Sequence, residues 1–346
     1  MKKIIIAIII IILLIMPVNA ASFEVPTVPE SGSTYMPKDN SSFSEDLIYV
    51  VKHALEDVRP DIAAAVKLCI RILSVTMLTA VVKTFSSGIV QTTSLIGSAV
   101  IGTVMLTSVN TMTNLGSATI YELSEYGKML LPVMTSAMAA RGSVNASTTL
   151  YVGTAIFSTV LTSLISRLLI PMLYLFVCCC IAGSALGEEL LKRTAGFFKW
   201  AITWSLKIIL YVFSGYMTIT GVISGSADAT AIKAAKLTIS GAVPVVGNIL
   251  ADASETILLS ADIMKNAAGT YGLIAFSAIL IGPFLKVLVQ YIMLKITAAV
   301  SEVFNTKHIT SLINDFSSAM GFVLAMTGSV CLLLMISIVC FMKGVA

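Results

Sequence analysis

Charged residues are scarce in this chain of 346 residues. Aspartate, glutamate, lysine and arginine make up 12% of it, and apolar residues make up 57%. An ordinary soluble domain has about twice that share of charge. With a mean hydropathy of +0.96, the composition excludes an ordinary soluble protein and predicts a membrane protein.

Side chains that bind metals or nucleic acids are also few. His53 and His308 are the two histidines and lie in different segments, which excludes a histidine-rich metal site. The six cysteines lie in apolar stretches without zinc-site spacing, so we expect them to pack as small apolar side chains. The net charge is only +4, and no basic cluster with interleaved aromatics supports nucleic-acid binding. No cofactor is predicted.

The chain begins with MKKIIIAIIIIILLIMPVNA, in which two lysines precede an apolar run and a small-residue pattern at its end. This order is typical of a secretory signal peptide, and the run is short for a membrane span. We therefore predict a cleaved signal peptide over 1–20. Residues 21–44, which are rich in proline and serine, are predicted to form a flexible extracytoplasmic leader.

The segment 45–67 is predicted to be an amphipathic helix, broken at Pro60. Its apolar side chains share one arc of a helical wheel, and the charged side chains occupy the other. The apolar set is Leu47, Val51, Leu55, Val58, Ile62, Val66 and the following Cys69. Such a helix lies on the membrane, on the rest of the protein or on a partner, and the sequence does not separate these alternatives.

Residues 68–346 are predicted to form an all-α, polytopic membrane domain with about six transmembrane helices. The stretches that are apolar and long enough, or nearly so, are 68–86, 94–114, 150–182, 200–224, 271–297 and 319–342. With an external N-terminus, the connection from Gly187 to Lys199 is cytoplasmic. Its basic residues Lys192, Arg193 and Lys199 agree with the positive-inside rule. The first span is the least secure, and its sidedness stays open.

The same count of crossings places residues 115–149 and 225–270 on the outer side, although both are too apolar for ordinary loops. Each contains a proline followed by a helix-compatible run, at Pro132 and Pro244. Such segments are typical of re-entrant or interfacial hairpins, which dip into the membrane where protein or water covers their backbone. We predict a hairpin of this kind at each proline.

Pro132 and Pro244 are 112 residues apart, and so are Pro171 and Pro283. This offset suggests two parallel repeats, a layout found in transporters, although coincidence among nine prolines is the alternative. Two charges, Arg167 and Lys286, lie near the middle of predicted spans and are expected along the interior. They would line a conduit, pair between helices or snorkel.

The stretch SGAVPVVGNILADASETILLSADIMKNAAGTYGL interrupts the apolar pattern. Gly241 and Gly247 flank its proline turn, but the spacing, lysine and hydroxyl of a phosphate-binding loop are missing. Its acids Asp252, Glu255 and Asp262 share one helical face. The sequence leaves four roles open for these acids: a solvated or salt-bridged face, the lining of a passage, contact with a partner, or catalysis. No G-x-S-x-G motif occurs, and we do not expect an enzyme.

The same stretch, together with MLLPVMTSAMAARG around Pro132, resembles the stage III sporulation protein AE family of endospore-forming bacteria. The resemblance implies a subunit of the channel that joins the mother cell to the forespore, located in the mother-cell membrane around the forespore. It implies a secretion-like complex with other proteins of the stage III operon, including a cytoplasmic ATPase, and with forespore protein Q. No catalytic residue is implied.

We therefore expect a channel or export-gate subunit that conducts passively and draws energy from a partner. The residues expected to form a re-entrant element or line the conduit are Gly241, Pro244, Gly247, Asp252, Glu255, Asp262 and Pro132. One alternative is an autonomous ion-coupled secondary transporter, which the repeat and the intramembrane charges would suit. Another is a membrane scaffold that anchors the ring proteins of the complex.

Overall fold

The structure is a computed structural model that describes residues 26–37, 42–85, 90–141, 143–242, 247–304 and 306–343, without the side chains of 90, 91, 220–262 and 264. Every regular element of the described chain is a helix. In order these are α1 (Glu30–Ser33), α2 (Phe43–Asp57), α3 (Arg59–Phe85), α4 (Val90–Ala140), α5 (Val144–Leu164), a π-helical turn (Ile165–Leu169), α6 (Ile170–Leu186), α7 (Glu189–Ala242), α8 (Gly247–Glu302) and α9 (Lys307–Lys343).

Six helical segments of the described chain are long and apolar enough to cross a membrane, which confirms the predicted number. They are Arg59–Phe85, Thr92–Ala140, Val144–Leu186, Glu189–Ile219, Lys265–Glu302 and Lys307–Lys343. At 1.5 Å per residue, the helices α4, α7, α8 and α9 are about 55–85 Å long. The hydrocarbon core of a bilayer is only about 30 Å thick. The bundle is therefore taller than the membrane it can cross.

Helix α9 is the central helix of the bundle and contacts α4, α5, α6, α7 and α8. It runs antiparallel to α8, since Gly321 lies against Tyr291 and Ile338 lies against Gly272. It runs parallel to α4, where Gly116 meets Val323. One continuous apolar core surrounds it along its length.

The connection between α6 and α7 is a tight turn, shorter than the predicted connection from Gly187 to Lys199. Helix α6 ends at Leu186, Gly187 adopts a left-handed φ of 73°, and α7 begins at Glu189. The Gly187 N–H donates to the Gly183 carbonyl oxygen at 3.0 Å and closes the end of α6. The basic residues of this region therefore lie on the first turns of α7.

The predicted hairpin at Pro132 is wrong. Pro132 lies inside the uninterrupted helix α4, and the chain reverses at 141–143. The missing proline N–H costs one helical hydrogen bond, but its neighbours Leu130, Leu131 and Met134 are buried and hold the helix in the core. Residues 115–140 are thus a helical extension of α4. The predicted turn at Pro244 lies outside the described residues.

The prolines at the predicted repeat positions differ in local structure. Pro171 lies at the start of α6, directly after the π-helical turn, whereas Pro283 lies inside the uninterrupted helix α8. A π-helical turn widens the backbone spacing and commonly accompanies a proline kink. The internal repeat stays a prediction.

The leader predicted to be flexible is packed over residues 26–37. Gly32 of α1 lies against Ile279 of α8, and Ser31 donates a hydrogen bond to Glu122 of α4. The ring of Tyr35 is buried against Gly282. This packing brings a proline- and serine-rich segment to the middle of α8, which its composition did not predict. The predicted signal peptide over 1–20 lies outside the described residues.

The amphipathic segment breaks at Val58, between α2 and α3, two residues before the predicted break at Pro60, which lies in the first turn of α3. Its packed face differs from the predicted one. Small residues Val50 and Ala54 are fully buried and form a cluster with Ile274 and Ala278 of α8. Predicted apolar residues, among them Leu55, are exposed on the outside of the bundle. The segment therefore rests on α8 through its small side chains.

Replacing Gly116 by alanine is expected to lower the melting temperature of the solubilised protein. An added Cβ would lie 2.6 Å from Val323 Cγ1, and a β-branched side chain cannot turn away. Overpacking of this kind costs about 1–3 kcal/mol. Gly215 of α7 is the control, since a Cβ there meets nothing within 4 Å. Gly215→Ala should leave the melting temperature unchanged or raise it, and equal losses in both variants would contradict the packing described.

Replacing Tyr35 by phenylalanine is expected to speed protease cleavage within 26–37. The Tyr35 hydroxyl donates to Asp57 Oδ2 at 2.7 Å, and a hydrogen bond to a charged group contributes about 1.5–3 kcal/mol. Burial, with this bond to Asp57, raises the pKa of Tyr35 to about 12. Because a free tyrosine ionises near 10, the stabilisation is full below about pH 10 and is lost as the pH rises to about 12. Native and variant proteins that are cleaved at equal rates at neutral pH would contradict the docking.

Candidate functional site: a polar groove at mid-height

The motif that interrupts the apolar pattern lies on two helices. Gly241 is near the end of α7, Gly247 begins α8, and the acids Asp252, Glu255 and Asp262 lie on α8, but their side chains are not described. Pro244 lies outside the described residues. This motif and Lys286 therefore share one helix, of 56 residues.

Lys286 of α8 is paired with a carboxylate. Its Nζ lies 3.7 Å from Asp61 Oδ2 on α3, and both side chains are about one-third exposed. A charge inside an apolar bundle is costly unless it is paired or hydrated. Pairing between helices was one of the alternatives expected for Lys286, and this contact is such a pair. Because both side chains are still partly exposed, water or a ligand can reach them.

The ion pair lies in a groove between α3, α4 and α8, hereafter the mid-height groove. Its volume is about 390 Å³. Its polar lining residues are Asp61, Arg71, Thr107, Ser108, Thr111, Lys286 and Gln290. The groove opens to the outside of the bundle, because Arg71, Thr107 and Thr111 are exposed. The groove thus presents polar side chains at the surface of the bundle.

Gln290, one turn along α8 from Lys286, has an unusual environment. The residue is only 5% exposed, and its Nε2 has no hydrogen-bond partner among the described residues. A buried amide nitrogen without an acceptor costs about 1–3 kcal/mol. A water molecule or an acceptor group in the mid-height groove would satisfy it.

A second carboxylate, that of Asp57, lies four residues before Asp61 in the chain. Asp57, at the end of α2, accepts the hydrogen bond of Tyr35, which holds the 26–37 segment over α8. Burial is the largest cause of the raised pKa of Tyr35, and the carboxylates of Asp57 and Asp61 raise this pKa further. The acids flank the break between α2 and α3, so this break places two carboxylates beside one face of α8.

Arg167 does not lie in the bundle interior, where it was expected. It is exposed on the π-helical turn, while the flanking Ile165 and Leu169 are fully buried. Ile165 and Leu169 of the turn pack in the core, whereas Arg167 and Leu168 lie on the outer surface. Of the two predicted intramembrane charges, only Lys286 lies in the candidate site.

The sequence pattern did not single out Asp61 or Gln290. Asp61 lies in the amphipathic segment, for which three kinds of partner were left open. Opposite charge is the signal that could have identified the pair. Lys286 lies within a predicted span and needs an anion, and Asp61 is an acid beside the predicted helix break. The mid-height groove can bind water or a polar group, and it offers more donors than acceptors.

A profile of the stage III sporulation protein AE family matches residues 34–344. The chain belongs to this family. At 19% identity over 233 residues, it is similar to stage III sporulation protein AE of Bacillus subtilis (strain 168). The matched region is 67% of this chain and 58% of that protein, so the chain spans less than two thirds of the relative's length. No solved structure matches. This family member is a sporulation protein, and the part of it that the structure describes has six candidate membrane spans.

Replacing Lys286 by methionine is expected to destabilise the solubilised protein, because Asp61 then loses its countercharge. The cost should fall between that of an exposed and a buried pair, about 1–3 kcal/mol. The measurement is thermal unfolding at low and high salt. Exchanging the two charges, with Asp61→Lys and Lys286→Asp together, should restore part of the loss.

Lys128→Met is the matched control. Lys128 pairs with Glu125 at 2.7 Å, but their side chains are 63% and 41% exposed. Its loss should change the melting temperature little. If Lys286→Met is as stable as the native protein, the Asp61–Lys286 pair has no structural role.

Proposed function

We propose that this chain is a membrane subunit of the mother cell–forespore channel, acting as a channel or export-gate component of a secretion-like complex. It would lie in the mother-cell membrane around the forespore. Its partners would be other proteins of the stage III operon, including a cytoplasmic ATPase, and forespore protein Q. In this role it is a conduit or gate, not an enzyme, and the ATPase supplies the energy. Family membership supports the sporulation role.

The mid-height groove carries the conducting part of the proposal. It is a polar strip in which the side chains of Asp61 and Lys286 are each about one-third exposed. Lipid covers apolar faces at little cost, but a lysine, an arginine and a buried unpaired amide favour water. If copies or partner subunits surround a passage, this strip is the face best suited to line it.

The acids Asp252, Glu255 and Asp262 would extend the lining along α8, with Gly241, Pro244 and Gly247 at its end. Their assignment rests on their common helical face in the sequence. Lys286 lies further along the same helix, in the mid-height groove.

Cysteine accessibility tests whether the mid-height groove meets water. Single cysteines at Ser108 and Thr111, placed in a chain without its six native cysteines, should react with a membrane-impermeant thiol reagent in sporulating cells. The control is Leu106→Cys, at an apolar position that is 37% exposed in the single chain. In the membrane, lipid or protein should cover it and slow its reaction.

The result has three informative patterns. Fast reaction at both groove positions, slowed when the other stage III proteins are deleted, supports a conduit assembled in the complex. Fast reaction independent of these proteins, with ion-coupled uptake by the purified chain in vesicles, would favour an autonomous transporter. No reaction at either position would rule out a water-lined groove and favour a membrane scaffold.

A further inference from the structure

Two neighbouring cavities lie at the end of the bundle where α6 turns into α7 and α9 begins. One, of about 650 Å³, lies between α8 and α9, and the other, of about 410 Å³, lies between α6, α7 and α9. They share Lys307 and Ser311. We call them together the basal pocket. It is separate from the mid-height groove and shares no lining residue with it.

Positive charge predominates in the basal pocket. Lysines from three helices line it, namely Lys192, Lys199, Lys295 and Lys307, with His308 beside them. The carboxylates in its walls are Glu302 and Asp315. Lys192 already pairs with Glu189 at 3.1 Å, and one positive charge is still in excess. Such a pocket favours an anion.

The start of α9 adds donors to this charge. Its first helical hydrogen bond runs from the Thr310 N–H to the Thr306 carbonyl oxygen at 3.0 Å. The N–H groups of residues 307–309 therefore have no helical acceptor. Thr306 lines the pocket and is 2% exposed, and its hydroxyl has no partner among the described residues. An anion at a helix start would meet these donors together.

Hydrogen bonds hold this helix start in place. Ser184 of α6 donates to the His308 carbonyl oxygen at 2.8 Å and also contacts the Ser98 hydroxyl of α4 at 3.0 Å. Across the pocket, Lys295 donates to Asn314 Oδ1 at 2.6 Å. The walls are thus positioned by hydrogen bonds between four helices before any ligand binds.

The neighbouring surface indicates where the anion comes from. Phe197, Trp200 and Trp204 form an exposed aromatic ridge on α7, with ring centroids 6.1 and 6.4 Å apart. Lys199 of the pocket lies within this ridge in the sequence. Exposed tryptophans beside lysines are typical of the membrane–water interface, at the level of lipid headgroups. Basic pockets between helices at this level bind anionic headgroups.

We propose that the basal pocket binds the phosphate of an anionic phospholipid headgroup. Lys199 and Lys307 attract the phosphate, and the start of α9 with Thr306 supplies hydrogen bonds. The aromatic ridge of α7 lies along the acyl chains of the lipid. Bound lipid would join α7, α8 and α9 at the end of the bundle where α6 turns into α7 and α9 begins.

The chain carries its own probe, because Trp200 and Trp204 are its two tryptophans. Full-length protein is placed in phosphatidylcholine vesicles with a small fraction of brominated phosphatidylglycerol or, in parallel, brominated phosphatidylcholine. Bromine quenches tryptophan fluorescence at short range. Stronger quenching by the anionic lipid is the expected result. The apparent affinity of the protein for the anionic lipid should fall about fivefold for each lysine removed in Lys199→Gln and Lys307→Gln.

The control variant is Lys52→Gln with Lys128→Gln, which removes two exposed lysines outside the pocket and should keep the preference. Lys199→Arg with Lys307→Arg keeps both positive charges and should also keep the preference for the anionic lipid. This variant therefore distinguishes loss of binding charge from misfolding in the glutamine variants. Equal quenching by the two lipids in the native protein overturns the proposal. So does a preference that the glutamine variants retain, or one that dissolved inorganic phosphate abolishes, since the pocket would then take phosphate from solution.

Discussion

The burial of α9 is the constraint on which the rest of the structure depends. This helix contacts α4, α5, α6, α7 and α8, and its inward residues, including Phe316, Met320 and Val330, are almost fully buried. Helices of about 40–55 residues can pack around it only if backbones approach closely at intervals, which Gly116 and Gly272 permit. The height of the bundle follows, and so do the two levels at which its polar sites lie.

Height separates the two sites. A bundle about twice as tall as a hydrocarbon core cannot be uniformly in contact with lipid. The mid-height groove collects Asp61, Lys286 and Gln290 where α3, α4 and α8 meet. The basal pocket gathers lysines where α9 begins and α6 turns into α7. The first suits the lining of a passage in the proposed complex, and the second suits attachment to a membrane surface.

Much of the membrane domain could be predicted from hydropathy, and less of the candidate site. About six spans were expected, and the described residues contain six helices that are long and apolar enough, because both are judged from the length and composition of apolar stretches. Lys286 was recognised because charge stands out in an apolar segment. Its partner Asp61 was not, since pairing depends on how α3 meets α8. Arg167 was misplaced because a π-helical turn rotates it outward.

The sequence by itself determined the all-helical class, the number of spans and the family resemblance, because these depend on local composition and short motifs. Only the tertiary structure decided that Pro132 continues a helix, that 26–37 packs on α8, and which charges meet. Packing supplies the reason in each case. Burial of Leu130 and Met134 outweighs one lost hydrogen bond, and Tyr35 is ordered by Gly282 and Asp57, which lie far from it in the chain.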